Sequence, residues 1–324
     1  MPKAGYASQR LSEYQSTDRD GEEKRRYHGM RASIIIRTYN EAKHLAELLD
    51  GIARQSLPRE HFEVIVVDSG STDNTLDITS GHSVSTRIVH IRKEEFSFGR
   101  SLNVGSEQAK GRVLVFISGH CIPADPGWLE RLIAPIEEER AVYSYGRQIG
   151  NGASRFSECQ LFRKYFPETS RIPQDGFFCN NANAALCREA WNDYRFDDDL
   201  TGLEDMEMAK RLVDDGGVVA YVAEAPVYHL HDENWHKVRL RYQREAIALQ
   251  RIMPQVHVSF ADFVRYFWSA VMVDSAAAFQ QRCLVTRFPE IFLFRLMQYW
   301  GTYRGNHEHR KLSRKAKEEY FYPL

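Results

Sequence analysis

The sequence predicts an α/β protein with a mostly parallel central sheet and a helical appendage at its C-terminal end. Over the first half of the chain, short β-branched and apolar runs alternate with segments of helical periodicity, as is typical of parallel sheets. The second half differs, because residues 260–300 have a helical pattern and hold 11 of the 39 aromatic residues. A length of 324 residues suits one large domain, or one domain with an appendage.

Four continuous apolar runs predict strands that are buried on both faces of the sheet. They are residues 32–37, 63–67, 87–91 and 112–117. Leucines at helical spacing predict a helix over 40–55, directly after the first strand. The same periodicity predicts helices over 99–110, 128–138, 203–213 and 235–252. Residues 218–222 predict one more strand, and residues 141–200 predict a mixture of short strands and loops.

Composition divides the chain into three regions. Residues 1–30 carry 11 charges and few aliphatic side chains, which predicts a mobile polar N-terminal tail. The alternating pattern predicts the α/β domain over residues 31–250. An aromatic-rich helical region is predicted over residues 251–324.

Charge and cysteine usage exclude several classes of protein. Lys plus Arg number 43 and Asp plus Glu 44, so no basic excess indicates a nucleic-acid partner. The five cysteines are odd in number and lack a CxxC spacing, which favours a reducing compartment over a disulfide framework or zinc ribbon. The N-terminus has no apolar signal-peptide core, and no apolar run reaches 18 residues. These features predict a cytoplasmic protein, with peripheral contact at the inner face of a membrane left open.

Polar clusters follow three of the predicted strands. They are Thr38 to Glu41 after the first, Asp68 to Ser71 after the second, and Ser118 to His120 after the fourth. Ligands bind beyond the carboxyl ends of strands in parallel sheets, so these clusters predict one concave polar site. Neither the dinucleotide pattern GxGxxG after the first strand nor the P-loop pattern ending in GK[ST] is present.

Several segments resemble family 2 glycosyltransferases, which have the GT-A fold. The match begins with SIIIRTYNEAKHLAELLDGIARQ and FEVIVVDSGSTDNT, and it continues in order with FSFGRSLNVGSEQAKGRVLVFIS, GHCIPADPGWLERL, GLEDMEMAKRLVDDGG and VYHLH. Together these segments span roughly residues 32–250. Within the family, the chain most resembles the rhamnosyltransferase-like branch of bacterial polysaccharide synthesis.

The resemblance implies a nucleotide pocket at the predicted site. Asp68 resembles the carboxylate that accepts hydrogen bonds from the base or ribose of the donor. The other residues that the resemblance assigns to this pocket are Thr38, Asn40, Glu41, Arg100 and Asn103. Arg100 would supply charge-assisted hydrogen bonds to the donor. The alternative for Asp68 and Asp73 is turn and helix capping, which we favour for Asp73 only.

The resemblance also implies a catalytic base. An inverting transfer needs a group that takes the proton of the acceptor hydroxyl, and Asp205 resembles that base. Glu204 would orient the acceptor or the base. Like-charged neighbours raise the pKa of a carboxyl toward such a role. The alternative is that both acids only complement the dipole of the helix that begins here.

One departure from the family concerns its metal-binding DxD motif. The matching positions are Ser118, Gly119 and His120, so both acids are absent. Either His120 is a metal ligand, or it contacts the donor diphosphate directly, or the metal site has been lost. His229 resembles a family histidine that completes metal binding in several members, and His231 is a weaker candidate. The alternative for both is a pair of histidines at a strand end that bond to backbone. A pair of imidazoles would suit Mn²⁺ better than Mg²⁺, which prefers oxygen ligands.

Two further regions have open roles. Asn181 lies in a polar stretch that resembles the acceptor-binding segment of the family, although amides there could equally satisfy loop backbone. Arginines are interleaved with the aromatics of residues 260–300. This pattern suits core packing, a homo-oligomer interface or peripheral membrane contact, and we favour packing or oligomerisation over the membrane.

The resemblance therefore implies an inverting glycosyltransferase that moves a sugar from a UDP- or dTDP-linked donor to a hydroxyl. The acceptor would be a glycan or lipid-linked intermediate of bacterial surface polysaccharide, such as capsule or O-antigen. The alternative is a nucleotide-binding GT-A-like scaffold or partner subunit without transfer activity, which the missing DxD acids motivate. A nucleotidyltransferase fits less well, because the sequence lacks a Gly-rich phosphate loop with a lysine after the first strand.

Overall fold

The computed structural model describes residues 29–308 and residue 321, so most of the predicted N-terminal tail lies outside the described residues. Eight strands form one sheet in the order β3-β2-β1-β4-β7-β6-β8-β5. The strands are β1 (Ala32–Thr38), β2 (Phe62–Asp68), β3 (Thr86–His90), β4 (Val113–Ser118), β5 (Cys121–Pro123), β6 (Tyr143–Ile149), β7 (Asn183–Cys187) and β8 (Val219–His229).

Helices cover the sheet and form the C-terminal region. They are α1 (Leu45–Ala53), α2 (Thr75–Gly81), α3 (Phe98–Gln108), α4 (Trp128–Glu137), α5 (Phe156–Tyr165), α6 (Arg188–Tyr194), α7 (Glu204–Asp214), α8 (Trp235–Ile252), α9 (Phe260–Gln280) and α10 (Leu284–Asn306). The chain is thus an α/β protein with a helical appendage, as the sequence predicts.

Four of the seven strand pairings are parallel. β1 lies at the centre of the parallel half, with Ile35 level with Ile65 of β2 and Phe116 of β4. The antiparallel pairings join β7 to β4 and β6, and β5 to β8. The alternation of the first half predicted the three parallel pairings among β1 to β4, whereas no pattern predicted that β6 and β8 also pair in parallel. Residues 141–200, predicted as short strands and loops, also contain the helices α5 and α6.

Both faces of the sheet are buried, which explains the continuous apolar strands. Ile34 and Ile36 pack on one face with α1 and α4, whereas Ile35 packs on the other face with α3 and α7. Successive side chains of a strand point to opposite faces, so a strand covered on both sides needs apolar residues throughout. Each fully buried isoleucine stabilises the fold by about 1.5–3 kcal/mol.

Two predicted boundaries differ from the structure. The first helix begins at Leu45 rather than at residue 40, because Asn40 has a left-handed backbone (φ 55°) and residues 40–42 bond to the loop after β2. The strand predicted over residues 218–222 continues to His229, since it pairs with β6 and then with β5. His229 is therefore held in the sheet rather than in a loop beyond it.

The C-terminal helices pack on the α/β domain through α8 and α5. A Cβ on Gly301 or Gly305 of α10 would collide with the backbone of α8, so these glycines permit the close approach of the two helices. Arg295 of α10 donates two hydrogen bonds to the buried Asp274 of α9, at 2.7 and 2.8 Å. Within residues 29–308, no helix is sufficiently long and apolar to cross a bilayer.

Candidate active site

The carboxyl ends of the central strands form one polar edge. Thr38, the last residue of β1, is level with Asp68, the last residue of β2, and Arg37 is level with Ser118 of β4. His229 ends β8, beside Cys121 of β5. The sheet register thus brings together the polar clusters that the sequence placed at strand ends.

Asp68 is buried and bonded to the turn that follows it. Its Oδ2 accepts the backbone N–H groups of Gly70, at 2.9 Å, and Ser71, at 3.1 Å. Its Oδ1 accepts the Thr38 hydroxyl at 3.3 Å. The exposed ring of His90 lies 4.0 Å from the carboxylate. Asp68 therefore fixes the loop at this edge of the sheet as well as providing a negative charge there.

The residues after β1 bind the same loop. The side chain of Asn40 accepts the Thr72 N–H at 2.8 Å, and the Glu41 N–H donates to Thr75 Oγ1 at 2.8 Å. Asp73 accepts the N–H of Thr75 and that of Ala42, which agrees with the turn role expected for Asp73, whereas the N-cap residue of α2 is Asn74. The Glu41 carboxylate remains directed at His120.

Arg100 and Asn103 lie on α3, facing the loop that precedes α7. Arg100 is half exposed, with Nη1 3.7 Å from Asp198 Oδ2. The Asn103 amide donates to the Phe196 carbonyl and to Asp198, and it accepts from Trp191 Nε1 and the Phe196 N–H. All four hydrogen-bonding positions of the Asn103 side chain are thus filled from within the protein. Asn103 therefore acts on the site by holding this loop in place.

Glu204 and Asp205 open α7 and are both buried, exposed by 4% and 7%. The preceding residue, Leu203, has a left-handed backbone (φ 56°) that turns the chain into the helix. Arg37 Nη1 donates to Glu204 Oε1 at 3.1 Å. The two Asp205 oxygens accept the backbone N–H groups of Asn181, at 2.9 Å, and Met206, at 2.8 Å. The acid pair is therefore held between β1 and the loop before β7.

Burial and the adjacent Glu204 raise the pKa of Asp205 to about 8, against the lowering effect of the Asn181 and Met206 amides and of Arg37. A carboxyl with such a pKa exchanges a proton near neutral pH. It is thereby a far stronger base than an ordinary aspartate, whose pKa is about 3.9.

Asn181 lies beneath the acid pair, where it is 1% exposed. Its Nδ2 lies 3.5 Å from Glu204 Oε1, and its Oδ1 accepts the hydroxyl of the buried Tyr143. The neighbouring Asn180 accepts from Gln148 Nε2 at 3.0 Å. Asn181 thus positions both acids through its backbone and its amide.

A cluster of three histidines lies at the ends of β4 and β8. The potential ligand atoms of His120, His229 and His231 are all within 4.8 Å of one another. The His229 and His231 rings are centred 4.0 Å apart, and His120 stacks on His229 at 5.2 Å. The structure therefore brings the two predicted histidines together and adds a third.

Each histidine is oriented through Nδ1. His120 Nδ1 bonds to Glu41 Oε1 at 2.8 Å, and His231 Nδ1 bonds to Glu158 Oε1 at 2.6 Å. His229 Nδ1 bonds to Gln148 Oε1 at 2.6 Å. Because these oxygens accept, each Nδ1 carries the proton, and Nε2 keeps the lone pair that binds metals in the neutral ring.

The environments of the histidines differ in charge. Burial and the neighbouring His231 and His120 hold the pKa of His229 well below its usual range, so this ring is neutral. Burial opposes charge on His120 as well, but the Glu41 carboxylate outweighs it and raises the pKa of His120. Three imidazoles with oxygen acceptors behind them fit a transition metal such as Mn²⁺ or Zn²⁺ better than Mg²⁺.

Sequence reasoning missed several residues of this site. His231 was not missed but was ranked below His229, although residues i and i+2 of an extended chain point the same way. No sequence pattern pointed to Arg37, Gln148 or Glu158, because their hydrogen-bond partners lie between 73 and 167 residues away in the chain.

Comparison with known proteins gives the family. The family model "Glycosyl transferase family 2" matches residues 33–195, half of the chain. The chain belongs to this family. The match includes the strands that carry Thr38, Asp68 and Ser118, together with Asn181.

Individual relatives agree with this assignment. The chain is 37% identical over 106 residues to glycosyltransferase AglE of Haloferax volcanii, a match that covers 32% of this chain and 34% of AglE. It is 24% identical over 290 residues to the O-antigen chain rhamnosyltransferase RfbN of Salmonella typhimurium, covering 84% of this chain and 90% of RfbN.

The fold also matches solved structures. The mannosyltransferase PcManGT from Pyrobaculum calidifontis, determined in complex with GDP-Man and Mn²⁺, superimposes with a TM-score of 0.61. The superposition covers 86% of this chain and 88% of PcManGT at 18% identity. The α/β domain thus has the GT-A glycosyltransferase fold.

Replacing the neighbouring acid tests the origin of the raised Asp205 pKa. Glu204→Gln removes a like charge but keeps the burial, so we expect the pKa of Asp205 to fall below about 8 and to stay above 3.8. Carbon-13 NMR of the carboxyl carbons measures this pKa. Glu207→Gln, on the same helix but paired with Arg211, is the control.

The same shift has a consequence for stability. The folded protein keeps a proton on Asp205 that the unfolded chain releases above pH 3.8, so this contribution is present at low pH and is lost as the pH rises toward about 8. In Glu204→Gln, where the Asp205 pKa is lower, this stabilisation should be fully lost at a lower pH than in the unmodified protein. An unchanged Asp205 pKa in this variant would contradict the assigned cause.

Proposed function

We propose that this chain is an inverting glycosyltransferase that transfers a sugar from a nucleotide-sugar donor to an acceptor hydroxyl. The observation that carries the proposal is the buried Glu204–Asp205 pair, in which Asp205 has a pKa of about 8. Burying two adjacent acids destabilises a fold, so the pair favours a chemical role over a structural one. Membership of glycosyl transferase family 2 supports the same reaction class.

In this mechanism Asp205 acts as the general base. It takes the proton of the acceptor hydroxyl while the oxygen attacks the anomeric carbon of the donor. The new glycosidic bond forms as the bond from that carbon to the diphosphate breaks, and the nucleoside diphosphate leaves with its electron pair. Attack opposite the leaving group inverts the configuration at the anomeric carbon. The raised pKa of Asp205 strengthens the base for this step.

Glu204 and Asn181 act as positioning residues. Arg37 holds the Glu204 carboxylate at 3.1 Å, and the Asn181 N–H fixes one oxygen of Asp205 at 2.9 Å. Because Glu204 and both Asp205 oxygens are already hydrogen-bonded, the orientation of the base is set before the acceptor arrives. We assign the acceptor side of the site to the loop of Asn181.

The donor nucleotide is assigned to the edge formed by β1 and β2. Asp68 and Thr38 would meet the base or ribose, with Asn40 and Glu41 shaping the adjoining loop. Arg100 is half exposed and 3.7 Å from its nearest acid, so it can turn toward the donor phosphates. We propose a UDP- or dTDP-linked donor on the resemblance alone.

The three histidines are assigned to the departing diphosphate. His120, His229 and His231 would hold a divalent transition metal through Nε2, with Mn²⁺ preferred over Mg²⁺. When bound, such an ion supplies positive charge that stabilises the leaving group. The protein itself contributes the fixed orientation of each ring through Glu41, Gln148 and Glu158.

The acceptor is proposed to be a glycan or lipid-linked intermediate of bacterial surface polysaccharide. The similarity to RfbN, an O-antigen chain rhamnosyltransferase, supports this class over most of the chain. All five cysteines are free, which suits the cytoplasmic location that we propose. A nucleotide-binding scaffold without transfer is the second candidate, favoured by the absence of DxD acids at residues 118–120.

Loss of the base tests the first candidate against the second. Asp205→Asn should lower the transfer rate by about 10²–10⁴-fold, because the acceptor proton then has no carboxylate to receive it. Binding of UDP or dTDP, measured by calorimetry, should remain. Asp214→Asn, an exposed acid on the same helix, is the matched control. Full activity in Asp205→Asn, or no turnover of any nucleotide sugar by the unmodified protein, would contradict the proposal.

Metal binding tests the histidine cluster separately. His229→Ala and His231→Ala should each weaken Mn²⁺ binding by about tenfold or more, because each removes one nitrogen ligand. Paramagnetic resonance of free Mn²⁺ measures this affinity without any donor or acceptor. His236→Ala, an exposed histidine on α8, should bind as the unmodified protein does. Equal Mn²⁺ affinity in all of these proteins would show that the three histidines do not hold the metal.

A further inference from the structure

The helical hairpin of α9 and α10 has an apolar outer surface. Of the twelve large hydrophobic residues that are exposed within the described part of the chain, ten lie between residues 260 and 293. The inner face of α9 packs on α10 through Phe263, Phe267 and Val271. The outer face and the hairpin turn remain open to solvent. Monomeric proteins seldom expose so many apolar side chains together, so this concentration marks a contact surface.

The most exposed side chains gather at the turn end of the hairpin. We define the hairpin surface as Met272, Val273, Phe279, Arg282, Val285 and Phe288. Phe279 is 72% exposed and Val285 90% exposed. Arg282, in the turn between the helices, has a left-handed backbone (φ 58°) and is exposed. The surface thus combines apolar groups with a basic residue at its tip.

The net charge of the hairpin surface is positive. Between residues 263 and 289 the sequence has three arginines and a single acid, Asp274. Asp274 is completely buried and neutralised by Arg295. The acids that pair with Arg265 and Arg287 are Asp262 and Glu290, at the borders of this segment. These two pairs offset the charge of Arg265 and Arg287. Because residues 275–289 contain no acid, the net positive charge of the hairpin surface is that of Arg282.

We propose that the hairpin surface binds the anionic surface of a lipid bilayer, with its apolar side chains in the interfacial region. Aromatic and aliphatic groups enter that region favourably, and arginines pair with anionic headgroups. A second copy of the chain fits less well. A two-fold interface places a surface against itself, and a surface with arginine and no acid is not complementary in charge to its own copy.

The hairpin surface is joined to the candidate active site by one helix. Ser157 of α5 donates to Asp274 of α9 at 2.6 Å, and the next residue, Glu158, bonds to His231. Docking of the hairpin therefore fixes the distance of the histidine cluster from the membrane. The proposal does not depend on the proposed function, since vesicle binding needs neither donor nor acceptor.

Flotation of the full chain with vesicles tests the proposal. With vesicles that contain about 30% phosphatidylglycerol, we expect binding that weakens with salt, and with phosphatidylcholine alone we expect none. Phe279→Ser/Val285→Ser and Arg282→Glu should each reduce binding about tenfold. Arg54→Glu, exposed after α1, changes the net charge equally and should bind normally. Circular dichroism checks that each variant is folded.

Three results would overturn the proposal. The first is a lack of binding to anionic vesicles. The second is binding that the hairpin variants leave unchanged. The third is that the unmodified protein does not bind vesicles but forms a dimer, measured by light scattering, and that the same variants are monomeric. That last result would assign the hairpin surface to a second copy of the chain.

Discussion

The burial of two adjacent carboxyl groups at the start of α7 is the constraint on which the site depends. Glu204 and Asp205 are almost fully enclosed, and like charges so close together cannot both ionise easily. The fold offsets this cost with Arg37 at 3.1 Å and with two backbone amides that hold Asp205. The result is a carboxyl group with a pKa near 8, fixed in orientation and suited to accept a proton.

The supports of this pair connect it to the rest of the site. Asn181 donates to Asp205, and its neighbour Asn180 accepts from Gln148, which in turn orients His229. The acid pair and the histidine cluster are thus tied to the same loop before β7. Arg37 lies next to Thr38, whose hydroxyl bonds to Asp68, so β1 links the acid pair to the nucleotide edge. A substitution that removes any one of these supports should therefore disturb more than one part of the site.

The sequence predicted those features that depend on local pattern. Continuous apolar runs were sufficient to predict the parallel half of the sheet, because strands buried on both faces need apolar residues throughout. The polar residues at the strand ends were sufficient to predict that Asp68 lies at the edge where ligands bind. The family resemblance singled out Asp205 and His229. Contacts between distant segments could not be predicted, which is why Arg37, Glu158 and the loop-anchoring role of Asn103 emerged only from the structure. Periodicity also failed at Asn40, where side-chain bonding to a loop replaces the first turn of the helix.

A crystal structure with UDP and Mn²⁺ soaked together would test the central claim most directly. We expect a nucleotide against Asp68 and an anomalous manganese signal at His120, His229 and His231, with the diphosphate between this metal and Asp205. A nucleotide bound elsewhere, or manganese bound away from the three histidines, would contradict it.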